Sequence, residues 1–297
     1  MIKSQLHSNL LLLLAAMIWG FAFVAQRIGM NYIGPFSFNG LRFTLGAIVL
    51  LPFLASKYGT RQDTGTSSKS TKQILFGSIL TGLLLFGGAT FQQIGLQTTT
   101  AGKAGFITGL YVVFVPVAGI LLKQKTGIFV WAGVILSAWG LYLLSITSEF
   151  SMEYGDFMVL IASILFTGHV LIIGWLSPKM NSFRLAIIQF SICGGLSLLT
   201  AFIFEEPHLS QIIEAGLPVL YGGLFSVGIA FTLQVVAQKE AAPTAVAIIL
   251  SLEAVFAAIG GWMILHEYLS FRSIIGCLMM LGGMIVVQAR AQTNKPS

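Results

Sequence analysis

Of the 297 residues 56% are apolar and only 9% charged, and mean hydropathy is +0.89. A soluble globule draws roughly a quarter of its residues from Asp, Glu, Lys and Arg to cover its surface, so this composition excludes a soluble domain and makes lipid the main solvent. The formal charge of +6 does not point to nucleic acid, because the basic residues fall between apolar runs and form no patch or aromatic-interleaved stripe.

A helix crosses a bilayer with about twenty mostly apolar residues. By that measure ten spans are predicted, at 9–28, 35–54, 73–95, 102–121, 128–147, 156–176, 182–203, 215–236, 243–265 and 271–290. The intervening breaks carry turn or charge signals, among them Gly34-Pro35, the run Lys57 to Lys72, Glu149 to Asp156, Ser177-Pro178, Glu205 to Pro207 and Glu240 to Pro243. The segment Met1 to Asn9 leads directly into the first apolar run and reads as the start of a span, not as a removable signal. Cys193 and Cys277 sit inside apolar segments with no partner spacing and read as small buried hydrophobes.

With the N-terminus in the cytoplasm, twelve of the sixteen basic residues fall on the inner side: Lys3, Lys57, Arg61, Lys69, Lys72, Lys123, Lys125, Lys179, Arg184, Lys239, Arg290 and Lys295. Arg27, Lys103 and Arg272 fall outside and Arg42 within a span. That bias predicts a multi-pass protein of a bacterial inner membrane with both termini cytoplasmic.

The two halves match in register. Val113-Phe114 corresponds to Val255-Phe256, Gly133 and Gly140 to Gly276 and Gly283, Gln93 and Gln97 to Gln234 and Gln238, and Arg42-Phe43 to Gln189-Phe190. The expected fold class is therefore an all-α membrane protein of ten transmembrane helices in two five-helix repeats, residues 1–148 and 149–297. An odd number of spans per repeat turns the second repeat upside down relative to the first. Inverted repeats are an architecture of alternating-access carriers, with the binding site near the midplane where the repeats meet.

The same segments carry a family resemblance. AAMIWGFAF (Ala15 to Phe23), NGLRF (Asn39 to Phe43) and TTTAGKAGFITGLYVVFVPV (Thr98 to Val117) are the first-half segments. SLEAVFAAIGGWMILHEYLS (Ser251 to Ser270) and IIGCLMMLGGMIVV (Ile274 to Val287) belong to the second. Together they resemble the EamA-type ten-helix permeases of the drug/metabolite transporter superfamily. The resemblance implies a central cavity lined by helices one, three, four, six, eight and nine, with five and ten at the periphery. It also implies export of amino acids, other metabolites or drugs. Two positions depart from the family pattern: Gln124 stands where an acidic residue follows the fourth helix, although Glu267 is kept in the second half, and the ninth helix carries Glu253-Ala254 in place of Glu-Pro.

Polar groups at bilayer depth are costly unless they face a cavity or a partner, so they are the site candidates. Glu253, mid-span in the ninth helix, is expected either to face the cavity, taking a proton or pairing with a cationic group, or to be hydrogen-bonded to a neighbouring helix. His169 in the sixth span is the second candidate for proton coupling, because histidine titrates near neutrality. Arg42 serves either packing, its five donors satisfying carbonyls or a carboxylate, or attraction of an anion. Gln93 and Gln234 offer both donor and acceptor and are expected to line the cavity, with Trp19, Thr108 and Tyr111 supplying aromatic and polar wall. His266 and Glu267 sit at a helix end, as a solvated turn or a gate.

No phosphate-cradling GxxxxGK[ST], no HExxH and no metal-ligand cluster occurs in the sequence. No catalytic residue, cofactor or metal is expected, and the energy for transport would come from substrate gradients, protons or exchange. The reading is a secondary transporter of a small-molecule substrate in a lipid bilayer, an exporter without nucleic-acid partners, a homodimer being compatible with it. An exchanger of phosphorylated metabolites and a membrane-embedded lipid-modifying enzyme are the alternatives. The first requires several basic residues at cavity depth and the second convergent His and Asp at one interface.

Overall fold

The computed structural model describes residues 2–55, 68–123, 127–145 and 153–293. Lys57, Arg61, Gln124, Lys125, Glu149 and Lys295, on which parts of the charge and family readings rest, lie outside the described residues.

Among the described residues the ordered elements are helices. They are α1 (Ile2–Gly29), α2 (Pro35–Ala55), α3 (Ser68–Gly95), α4 (Ala101–Gly109), α5 (Tyr111–Leu121), α6 (Ile128–Ser145), α7 (Tyr154–Leu176), α8 (Ser182–Phe204), α9 (Leu209–Glu214) and α10 (Gly216–Leu220). A π-helical stretch (Tyr221–Phe231) follows, then α11 (Thr232–Ala237), α12 (Pro243–Leu250), α13 (Glu253–Leu265) and α14 (Phe271–Thr293). Eight helical runs are long and apolar enough to cross a bilayer, and two shorter apolar runs, Ile128–Leu143 and Phe271–Val286, fall at the predicted fifth and tenth spans. Large apolar side chains face outward along them, Phe76 on α3 and Phe202 and Phe204 on α8 among the most exposed. In water such a surface would aggregate; in lipid it is the favoured one.

Local chemistry sets the helix starts. Pro35 and Pro243 occupy first-turn positions, where the missing N–H has no helical partner to lose. Thr100 caps α4 by accepting from the Lys103 N–H, and Asn181 caps α8 by accepting from Phe183 and Arg184. Carboxylates from distant parts of the chain cap α2 and add a second cap to α4. The Glu205 carboxylate accepts from the backbone N–H of Phe36 at 2.9 Å and of Ser37 at 2.8 Å, at the start of α2. Glu267 does the same for Ala101 and Gly102 at the start of α4, at 2.9 and 3.1 Å. A carboxylate against a helix N-terminus meets both unpaired donors and the positive end of the dipole.

Three of the predicted spans are not continuous helices. The fourth breaks at Leu110, between α4 and α5, where the Leu110 N–H turns to Ile107 O instead of continuing the α-pattern. Pro116 denies Val112 O its donor and crowds that carbonyl. The ninth breaks at Ser251–Leu252 without a proline; there the Ser251 hydroxyl donates back to Ile248 O at 2.9 Å and competes with the helical bond. The eighth loosens into the π-helical stretch. Apolar periodicity and length, from which the spans were read, contain none of this.

The core is built from close crossings. α6 packs along α14, α2 along α8, α3 along α7 and α8, and α1 against α13 and the π-helical stretch. Glycine allows the closest of them. A Cβ on Gly140 would stand 2.6 Å from Gly276 O, and one on Gly283 would stand 2.8 Å from Gly133 O, so α6 and α14 touch backbone to backbone.

Candidate functional site

At Gly20, α1 lies on the first turn of α13: an added Cβ would overlap Phe256 and approach Glu253 O to 2.8 Å. This crossing brings Trp19, Phe23 and Gln26, spaced at four and three residues on one face of α1, against the two helix breaks. α7 presents Phe166, His169 and Val170 from the opposite side, α3 adds Ala89 and Gln92, and the π-helical stretch with α11 adds Ser226, Phe231 and Gln234. Thr108 and Tyr111 flank the first break, Leu250 and Glu253 the second, and Arg42 enters from α2. These residues line a cavity of about 50 Å³, room for roughly three to five waters.

The two breaks meet through one hydrogen bond. The Tyr111 hydroxyl donates to Glu253 Oε1 at 2.9 Å, with both side chains buried. Tyr111 opens α5 and Glu253 opens α13, so each stands where its helix restarts. Beside them, Gln92 Nε2 donates to Thr108 Oγ1 at 3.1 Å. His169 is hydrogen-bonded to Gln189, its Nε2 2.8 Å from Oε1. The His169 ring meets Phe166 and Phe231 edge-on, and Phe231 packs 4.6 Å from Trp19, whose indole N–H donates to Ser226 O at 3.1 Å. π-helical backbone is uncommon and concentrates at functional positions; here it carries that carbonyl and Phe231 to the cavity wall.

Seven of the eight residues singled out from the sequence converge on this cavity: Trp19, Arg42, Thr108, Tyr111, His169, Gln234 and Glu253. Gln93 does not. It is fully buried and donates to Gln26 O at 3.3 Å, while Gln92 takes the wall position. Consecutive residues on a helix point about 100° apart, and the face of α3 toward the cavity is that of Ala89 and Gln92, one position from Gln93. Arg42 differs as well, because the second helix was not expected to reach the cavity and its side chain does. Lys103 pairs with Asp156, which also accepts from Thr99 Oγ1 at 2.8 Å.

Gln26, Gln92, Phe166 and Phe231 were missed. Gln26 was legible as the residue seven after Trp19, and Phe166 as the repeat counterpart of Trp19 at the offset that relates Arg42 to Gln189. Gln26 Oε1 and Gln234 Oε1 are buried acceptors without a hydrogen-bond partner among the described residues. Among these residues no group of three His, Cys, Asp or Glu is arranged to hold a metal ion.

A profile of the EamA-like transporter family matches residues 7–146 and again residues 153–288. The chain belongs to this family. A transporter of Archaeoglobus fulgidus, described as uncharacterized, is 32% identical over 294 residues, spanning 96% of this chain and 87% of its own length. The uncharacterized transporter YoaV of Bacillus subtilis is 26% identical and covers 91% of this chain and 92% of its own. The uncharacterized inner membrane transporter YedA of Escherichia coli is 22% identical over 226 residues, 71% of this chain and 68% of its own. A solved crystal structure shares the fold at a TM-score of 0.76 with 17% identity, covering 97% of this chain and 99% of that one. The protein is thus a multi-pass membrane transporter of the EamA-like family, and the cavity at its helix breaks is the candidate site for a small-molecule substrate.

Proposed function

We propose that the protein is a secondary transporter that exports a small metabolite, an amino acid or related compound, by alternating access through this cavity. The observation that carries the reading is the Tyr111–Glu253 hydrogen bond at the meeting point of two broken helices. Interrupted spans that supply both unwound backbone and a carboxyl at mid-depth are the apparatus by which carriers bind cargo and ions. Glu253 is the group that exchanges a proton or meets a cationic part of the substrate, and His169 is a second proton carrier.

The reading of residues 1–148 and 149–297 as two inverted five-helix repeats is supported by the double family match and by the packing. α2 packs on α8 and α6 on α14, each helix against its own counterpart, and the pairing of α3 with α8 recurs as that of the π-helical stretch with α2. Tyr111 and Glu253 are themselves counterparts, at the same offset of 142 residues that relates Val113-Phe114 to Val255-Phe256. Ten spans with cytoplasmic termini follow from that scheme and from the basic-residue bias, with the two shorter apolar helices as spans five and ten. In this orientation the Glu205 and Glu267 caps, the Lys103–Asp156 pair and the Arg27 bonds to Leu96 O and Gln97 O all lie at the outer end. The exchanger of phosphorylated compounds finds little support, since among the described residues Arg42 is the one Arg or Lys lining the cavity.

The test is metabolite profiling of cells and medium for cells expressing wild type, Glu253→Gln or empty vector. A compound enriched in the medium with wild type alone names the substrate and supports export through Glu253. With membrane expression verified, three identical profiles would overturn the exporter reading.

A further inference from the structure

We propose that Arg42 is the substrate anchor for a carboxylate, which makes the cargo a small monocarboxylate; the inference rests on the cavity being the transport site. Arg42 is 3% exposed and lines the cavity. Among the described residues its guanidinium makes one hydrogen bond, Nε to Asn39 Oδ1 at 3.0 Å, and no carboxylate lies within ion-pair reach of it. Asn39 is itself held, its Nδ2 donating to Ala89 O at 3.0 Å. The Phe43 and Phe38 rings lie 4.9 and 5.5 Å from the guanidinium carbon.

An arginine retained for packing in a helix bundle would spend its five donors on carbonyls or a carboxylate. This one is oriented at Nε by a fixed amide, flanked by two aromatic rings, and left with both Nη groups unpaired. That is a pre-organised fork, and the group matching a fork in plane and charge is a carboxylate, or one edge of a phosphate.

The rest of the cavity chooses between them. A phosphate ester near neutrality carries close to two negative charges, and this wall offers one Arg or Lys, Arg42, together with the Glu253 carboxyl, its other nitrogen base, His169, being already engaged with Gln189. A monoanion is therefore favoured. The unpaired oxygens of Gln26 and Gln234 and the Glu253 carboxyl supply acceptors for an ammonium or N–H elsewhere on the same molecule. A carboxylate bearing a hydrogen-bond donor satisfies both poles at once.

The experiment is thermal unfolding of the purified protein in lipid nanodiscs, titrated with the proteinogenic amino acids and short monocarboxylates, each beside its primary amide. At least one carboxylate is expected to stabilise wild type, with its amide weaker by about tenfold or more. Arg42→Lys, which keeps the charge and loses the fork, should bind that carboxylate roughly tenfold more weakly, and inorganic phosphate should not compete. Equal stabilisation by acids and amides, no response to any carboxylate, or wild-type affinity in Arg42→Lys would each overturn the proposal. The acid–amide comparison is made on wild type, so it stands even where Arg42→Gln fails to fold. Arg42-dependent carboxylate binding without any exported compound would sink the export reading and leave this one; Glu253-dependent export of a compound lacking a carboxylate would do the reverse.

Discussion

Replacing Tyr111 by Phe removes one hydroxyl and nothing else, since the ring keeps its place against the two helix breaks. The bond it donates to Glu253 is 2.9 Å long and buried. A buried hydrogen bond contributes about 0.5–1.5 kcal/mol between neutral groups and about 1.5–3 kcal/mol to a charged one, and an orphaned partner adds its own desolvation penalty. The conformation holding this bond should therefore lose about 1–3 kcal/mol, a factor of roughly 5 to 150 in an equilibrium. The sign for ligand binding is opposite. If substrate takes Glu253, the tyrosine hydroxyl must first let go, and a protein without that hydroxyl has no competitor to displace. In thermal unfolding in nanodiscs, Tyr111→Phe should melt below wild type when ligand-free and gain more from the compound identified by profiling. Glu253→Gln should gain nothing. A loss of binding in Tyr111→Phe as deep as in Glu253→Gln would refute the competition and make the tyrosine a direct substrate contact.

Gly140→Ala should lower thermal stability by about 1–3 kcal/mol, because the added methyl meets the Gly276 carbonyl at 2.6 Å and overpacked backbone cannot yield cheaply. Gly195→Ala, with nothing within 4 Å of the added carbon, is the matched control, and equal melting of the two variants would refute the crossing. Gln92→Leu should weaken substrate stabilisation more than Gln97→Leu does in the same titration, since Gln92 lines the cavity and bonds Thr108. Glu267→Ala removes acceptors from two backbone N–H groups of α4. It should raise maleimide labelling of a cysteine placed at Thr108, in a background lacking Cys193 and Cys277, when the reagent is added from outside. Unchanged labelling would deny the cap any part in sealing that end.

Much of this was legible in the sequence. Composition and span length fixed the solvent and the helices, because lipid leaves a chain few alternatives to long apolar helices. The cost of burying polar groups then pointed to Glu253, His169 and Arg42 without any structure. The loss is at finer grain. Gln92 and Gln93 are chemically identical, and only the rotation of α3 about its axis, fixed by packing against α7 and α8, decides which one faces the cavity. The break at Ser251 follows from where a hydroxyl turns, a choice that serine leaves open in any helix. The caps by Glu205 and Glu267 join residues more than 160 positions apart, beyond the reach of any local signal.

The caps also bear on how two repeats of similar design can prefer one closed end. Glu267 seals the start of α4 because two N–H groups, Ala101 and Gly102, are there to be accepted. At the repeat offset of 142 residues, Ala101 corresponds to Pro243, which has no N–H to give, and Glu267 corresponds to within a residue to Gln124. One donor, at Pro243 in the second repeat, and the carboxylate, at Gln124 in the first, are absent together, the outcome expected if the pair matters as a pair. A carboxylate at a helix dipole gains about 0.3–1 kcal/mol from its charge alone, which a neutral amide in its place lacks. A bias of that order tilts an exchange between outward and inward forms by a factor of roughly 2 to 5. Under the proposed orientation the stronger clasp is the outer one, and its tilt toward closure at that end is the sense that the proposed export calls for.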